Sequence, residues 1–163
     1  MTKTAFIFAG QGAQKLGMAR DLYDRYTIVK DTYDQAKSIL GYDIRELIDS
    51  DEEKLNQTRY TQPAILTTSV AIYRLLTENG LTPDMVAGLS LGEYSALVAS
   101  GALSFEEALK LVAKRGEFME TAAPSGLGKM VAVMNTDPSL IEEVCKQASQ
   151  KGIVSPANYN TPS

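Results

Sequence analysis

The sequence predicts an α/β protein: a parallel sheet whose strands are joined by helical crossovers. Three observations carry that prediction. Short apolar runs ending in glycine alternate with longer stretches of helical periodicity. Pro, Gly, Asn and Ser stand where such elements start and stop. The stretch "GLSLG", residues 88–92, places Ser90 between two glycines where a strand signal hands over to a helix signal.

Taken in order, "TAFIFAG" (4–10) reads as a buried strand ending at glycine, followed by helices in "MARDLYDRY" (18–26) and "IVKDTYDQAKSIL" (28–40). "DSDEEKLNQTRYTQ" (49–62) reads as a polar connector. Pro63 then fits the first turn of a helix, 63–80, whose end is marked by Asn79 and Gly80. "DMVAGLS" (84–90) is a short strand entering a turn, and "LGEYSALVASG" is a helix closed by Gly101. Ser104 and Glu107 form a capping box that opens the helix from 104 to 123. Strand, helix and strand in that order imply parallel pairing.

Beyond it, Pro124, Gly126 and Gly128 break the helix. "KMVAVMN" (129–135) reads as a strand, "PSLIEEVCKQASQKG" (138–152) as a helix and "IVSPANYN" (153–160) as a second strand. The division expected is a large subdomain over residues 1–124 and the start of a smaller α+β one over 125–163. Two strands and a helix leave a sheet with an open edge, so the polypeptide is expected to continue past Ser163.

Composition excludes several function classes. The 163 residues carry a net charge of −4, against the even positive field of a nucleic-acid binder. No run approaches the roughly 18 apolar residues of a membrane span, and the N-terminal apolar run is short for a signal peptide, so a cytoplasmic protein is expected. Cys145 is the single cysteine; with Ile141, Val144 and Ala148 it lies at helical spacing and reads as a buried structural thiol. The chain contains no histidine.

Three elements carry candidate chemistry. In a strand, Gly-x-Ser-x-Gly, helix arrangement the glycines permit a tight turn that presents the Ser90 hydroxyl at the sheet edge, with the N–H of Leu91 directed where an oxyanion would form. The bare pattern arises by chance in about 5% of chains of this length, and the competing reading is a serine that caps the helix. "FAGQGAQ" sets Gln11 just beyond the first strand, where loops of an open parallel sheet line a ligand crevice; it lacks the spacing of a phosphate loop, alone it reads as a plain turn, and its value is in combination. Arg115 lies at the edge of an apolar stripe formed by Phe105, Ala108, Leu109, Val112, Gly116 and Met119. A guanidinium directed inward there matches a carboxylate bidentately, whereas one directed outward packs its stem and solvates its head.

Together, "FAGQGAQ", "RYTQPAILTTSVAIYRLL", "AGLSLGEYSALVASGALSFEEALKLVAKRGEFM" and "VSPANYN" resemble the malonyl-CoA:acyl carrier protein transacylases of bacterial fatty acid synthesis. The resemblance implies an α/β-hydrolase-like large subdomain with a ferredoxin-like small subdomain inserted. It implies Ser90 as nucleophile, Arg115 as the cation for the malonyl carboxylate, Gln11 and the N–H of Leu91 as oxyanion hole, and Gln62 lining the site. Malonyl-CoA is then the substrate and acyl carrier protein the partner, with no metal and no permanently bound cofactor.

Two departures follow from the same resemblance. Leu89 stands where the family commonly has histidine, from which altered pocket packing is expected. The family's histidine base lies in a later segment, so the chain is expected to be an N-terminal part with little activity alone. A serine esterase or thioesterase of related fold, and a catalytically silent piece that binds carrier protein, are the competing functions. An esterase has no need of a carboxylate clamp at Arg115.

Overall fold

A computed structural model of the chain describes residues 3–122 and 127–161. The chain divides into two compact units, residues 1–125 and 126–163. The boundary expected at 124/125, with Pro124 and Gly126, lies outside the described residues.

In the first unit, β1 (Ala5–Phe8) pairs parallel with β2 (Met85–Gly88), in the register Ala5 with Met85 and Phe8 with Gly88. Between them run α1 (Arg20–Arg25), α2 (Thr27–Leu40), α3 (Ile44–Ser50), α4 (Glu52–Leu55) and α5 (Thr58–Glu78). After β2 come α6 (Gly92–Ala99) and α7 (Phe105–Ala122). The 21-residue α5 packs against both α2 and α7. Its Leu66 and Val70 meet Val29, Tyr33 and Ala36 of α2, Ile44 and Ile48 of α3, and Leu109 and Val112 of α7 in one buried core.

The capping signals hold. Asn79 ends α5, Gly80 and Gly101 take φ of 83° and 77° after their helices, and the Ser104 and Glu107 side chains each accept the other's backbone N–H, at 3.2 and 2.9 Å. The polar connector does not. Residues 49–62 are largely helical, because Asp51 caps α4 by accepting from the N–H of Lys54 at 3.0 Å, as Asp43 caps α3. That N–H, with the Lys54 side chain, holds the Asp51 carboxyl below its ordinary value. Pro63 is therefore the sixth residue of α5 and not in its first turn. Its ring is buried, and it can donate nothing to the carbonyl four residues back.

The first strand differs from the buried one expected. Phe8 is buried while Ile7 is 81% exposed. The face bearing Phe6 and Phe8 is covered by the edge of Tyr73, with ring centroids 6.4 and 6.5 Å away, whereas Ala5, Ile7, Met85 and Ala87 on the other face are exposed. An unbroken apolar run predicts cover on both faces; among the described residues the sheet has it on one.

In the second unit the expected helix forms as α8 (Pro138–Ala148), with the Asp137 carboxylate accepting from the N–H of Ser139 at 2.8 Å. The strands expected at 129–135 and 153–160 do not form, since neither segment has a partner to complete a ladder. Met130, Val131 and Met134 stay exposed. Among the described residues of this unit no strand or second helix covers α8; Cys145 is half-buried rather than the buried thiol expected, and Val144 is exposed.

An ion pair within α3 is packed against the core. Arg45, only 5% exposed, forks onto Asp49, donates to the Met18 carbonyl at 2.9 Å and lies 4.9 Å from the Tyr33 ring centroid. Asp49→Ala leaves that guanidinium buried without its anion and should cost about 3–5 kcal/mol, read as a lower urea midpoint with an unchanged m-value. A loss below about 1 kcal/mol would show that the pair is solvated.

Candidate active site

The site is assembled where β1 and β2 end. The Leu89 N–H donates to the Phe8 carbonyl at 3.2 Å, which ties the turn after β2 to the end of β1. Ser90 follows with φ of 51°, a left-handed conformation uncommon for a residue with a side chain. The N–H groups of Gly92 and Glu93 then donate to the carbonyls of Leu89 and Ser90 at 2.9 and 3.2 Å and start α6. The turn's own hydrogen bonds do not engage the N–H of Leu91, whose side chain is fully buried.

The glycines are required by contact. A Cβ on Gly92 would lie 2.1 Å from the Phe8 carbonyl oxygen, and one on Gly88 would lie 2.0 Å from the Gly92 carbonyl. A Cβ on Gly10 would meet the Leu89 carbonyl at 2.6 Å. The two loops thus press backbone on backbone, the close approach glycine allows. Leu89 itself is 60% exposed.

α7 supplies the cation. Its buried stripe is Phe105, Ala108, Leu109, Val112 and Gly116, with Arg115 half-buried at the edge, as expected. Met119, assigned to the stripe, is 44% exposed. Arg115 Nη2 donates to Ser90 Oγ at 3.0 Å, and the guanidinium lies 5.7 Å from the Tyr94 ring centroid.

A second group forms beside this pair. Gln62 is fully buried; its Nε2 donates to Met119 Sδ at 3.2 Å and, more weakly, to Gln11 Oε1 at 3.4 Å. Gln62 Oε1 has no partner among the described residues. Gln11 Nε2 donates to Thr58 Oγ1 at 3.1 Å. The structure therefore joins Ser90 to Arg115 and Gln11 to Gln62, and α7 links the pairs because Met119 follows Arg115 by one helical turn.

Sequence reasoning missed Thr58, Tyr94 and the Met119 sulfur. Thr58 and Gln62 stand four apart on one helix face, a spacing visible once α5 is known to begin at Thr58. The clefts of about 370 and 380 Å³ beside Tyr42 and Tyr60 include none of Ser90, Gln11, Gln62 or Arg115. Among the described residues no helix is long and apolar enough to cross a membrane, and no cluster of three His, Cys, Asp or Glu could hold a metal ion.

Comparison with known proteins places the chain in a family. The family model for the acyl transferase domain matches residues 5–163. The malonyl CoA-acyl carrier protein transacylase of Escherichia coli K12 is 46% identical over 99% of this chain, and that of Staphylococcus aureus MRSA252 is 49% identical over the same share. The chain spans about half the length of these curated relatives, 53% in both cases. Crystallographic MCAT from Streptococcus pneumoniae is 72% identical with a TM-score of 0.90, over 99% of this chain and 53% of that one. A malonyl-transacylase solved in complex with a type II PKS acyl-carrier protein is 45% identical, with a TM-score of 0.92 and the same coverage.

The contact at Gly92 gives a test that needs no activity. Gly92→Ala must push α6 away from β1 and should cost about 1–3 kcal/mol or more, the range for overpacking against atoms that cannot turn aside. Chemical denaturation reads the loss; an unchanged midpoint would mean that the strand end is free to shift.

Proposed function

The chain belongs to the acyl transferase domain family, and from that membership we propose that it carries the nucleophile and acyl-selecting cation of a malonyl-CoA:acyl carrier protein acyltransferase. The observation that carries the proposal is the hydrogen bond from Arg115 to Ser90 Oγ, at the strained residue of a glycine-flanked turn. Unlike Arg45, which has Asp49, Arg115 is held by a neutral hydroxyl and an aromatic face. A cation with no protein anion among the described residues, beside a hydroxyl nucleophile, suits an acyl group that brings its own carboxylate. Gln62 turns its amide nitrogen to Gln11 and Met119.

Reach supports the same reading. In a malonyl ester one methylene separates the ester carbonyl from the carboxylate, which puts the carboxylate oxygens roughly 4–5 Å from Ser90 Oγ. The guanidinium, 3.0 Å from that oxygen, needs only to turn from hydroxyl to carboxylate.

The reaction runs in two transfers. Ser90 Oγ attacks the thioester carbonyl carbon while a base takes its proton, and the negative charge on the former carbonyl oxygen is met by the N–H groups of Leu91 and Gln11. The C–S bond breaks, coenzyme A leaves as its thiol, and malonyl-Ser90 remains. The phosphopantetheine thiol of acyl carrier protein then attacks the ester and releases Ser90. The 163 residues contain no imidazole, and we assign the base to a histidine outside them, so that these residues alone would transfer slowly. No bound cofactor enters either step.

Incubation of the intact enzyme with malonyl-CoA should add one malonyl mass to the peptide containing Ser90, and Ser90→Ala should abolish it; an adduct elsewhere sinks the assignment. Arg115→Ala should lower kcat/KM for malonyl-CoA by about 2–5 kcal/mol, the range for truncating one partner of a buried charge pair. Acetyl-CoA has no carboxylate to lose and should be little affected, while Arg115→Lys should recover part of the malonyl preference. Equal losses for both acyl groups would remove the carboxylate clamp from the mechanism.

A further inference from the structure

We infer that Thr58 is a positioning residue for the oxyanion site: its hydroxyl, together with Gln62, holds the Gln11 carboxamide at both ends and so fixes where the Gln11 backbone N–H lies. The inference rests on the function proposed above and adds a residue to it.

The loop that carries Gln11 has little of its own to hold it. Gly10 and Gly12 flank the residue, and Gly12 has φ of 109°, a conformation open to glycine and rare for residues with a side chain. The loop's internal bonds are the long contact from the Ala13 N–H to the Gly10 carbonyl at 3.4 Å and the contact of the Gly12 N–H with Gln14 Oε1 at 2.8 Å. Its outside ties run to α5 and to the turn just before it. Gln11 Nε2 donates to Thr58 Oγ1 at 3.1 Å, Gln11 Oε1 accepts from Gln62 Nε2 at 3.4 Å, and Gln14 Nε2 donates to Asn56 Oδ1 at 3.1 Å.

The start of α5 is a rigid anchor for those ties. Gly116 of α7 sits so close that a Cβ there would lie 2.9 Å from Arg59 Cα and 3.0 Å from the Thr58 carbonyl oxygen. Glu120 of α7 accepts the Arg59 N–H at 3.1 Å. The helix that presents Arg115 therefore also sets the height of Thr58, so the carboxylate-binding cation and the oxyanion loop are held to one reference. Oxyanion donors act only within a few tenths of an ångström of their target distance, and the Thr58 hydroxyl is the shorter of the two contacts that hold the carboxamide.

The substitution that isolates the hydroxyl is Thr58→Val, which keeps the branched shape at the first residue of the helix. In the intact enzyme kcat should fall about ten-fold, the scale of one neutral hydrogen bond, with KM for malonyl-CoA within about two-fold. The loss should be the same with acetyl-CoA, because an oxyanion forms whatever the acyl tail, in contrast to the selective loss on altering Arg115. Thr58→Ser, which returns the hydroxyl, should restore most of kcat. A double-mutant cycle with Gln11→Leu should be non-additive, the pair losing little more than either alone. Gln11→Leu also tests the same bond from the loop side if Thr58→Val does not fold. Wild-type kcat in Thr58→Val, an effect confined to KM, an additive cycle, or failure of serine to rescue would overturn the inference. Absence of any Ser90 adduct in the wild-type enzyme would overturn the underlying reading instead, and the two failures are separate measurements.

Discussion

There is no room for a methyl group between α6 and the end of β1, and the rest of the site depends on that exclusion. With Gly92 resting on the Phe8 carbonyl and Gly88 on Gly92, the first turn of α6 is set against the sheet by hard contact between backbones. A side chain there would meet repulsion that rises far more steeply than any attraction falls, so the turn can lie this close only with glycine. Ser90 can then span from strand to helix only by entering the left-handed region, at a cost of about 1–3 kcal/mol that the surrounding contacts must offset. The same device is repeated at Gly116, which seats α7 on the start of α5. Three glycines at interfaces, each useless to a hydrophobic core, fix the hydroxyl, the guanidinium and the Gln11 loop relative to one another.

Much of this was legible in the sequence because it is local. The glycine-flanked serine, the capping box at Ser104 and Glu107 and the stripe of α7 depend on spacing over a few residues, and spacing is what a sequence displays. Arg115 at the stripe's edge was legible for the same reason. Residues 49–62 were read as polar and hence as connector, when Asp51 caps the short α4 within them, as Asp43 caps α3 just before; polarity and cap chemistry share the same residue types. That error moved the start of α5 to Pro63 and hid Thr58, which is how a small misreading of secondary structure became a missing site residue.

What failed elsewhere failed because it is not local. A strand is defined by its neighbour, and "KMVAVMN" and "IVSPANYN" have the composition of strands but no ladder partner among the described residues. The exposure of Ile7 follows the same logic on a sheet that does form: its run is apolar enough for two covered faces, and one is covered. Cys145 belongs with these cases. Its helical stripe correctly predicts α8, and the burial of that stripe depends on a layer that α8 does not have among the described residues of its own unit.

The bond between Arg115 and Ser90 also constrains chemistry that lies beyond both residues. A guanidinium is a donor only, so Ser90 Oγ must accept from it, and the hydroxyl proton is then directed away from the five N–H groups of Arg115. The base in the proposed mechanism has therefore to approach Ser90 from the side opposite α7. When an acyl carboxylate takes over the guanidinium, the oxygen regains a lone pair at the moment when the reacting carbonyl arrives, and its proton already faces the base. Arg115 would in this way do two things with one charge: keep the resting hydroxyl oriented, and release it when a carboxylate of the right length displaces it. A lysine in that place could pair with the carboxylate, but its rotating ammonium has no fixed fork with which to exchange one partner for the other.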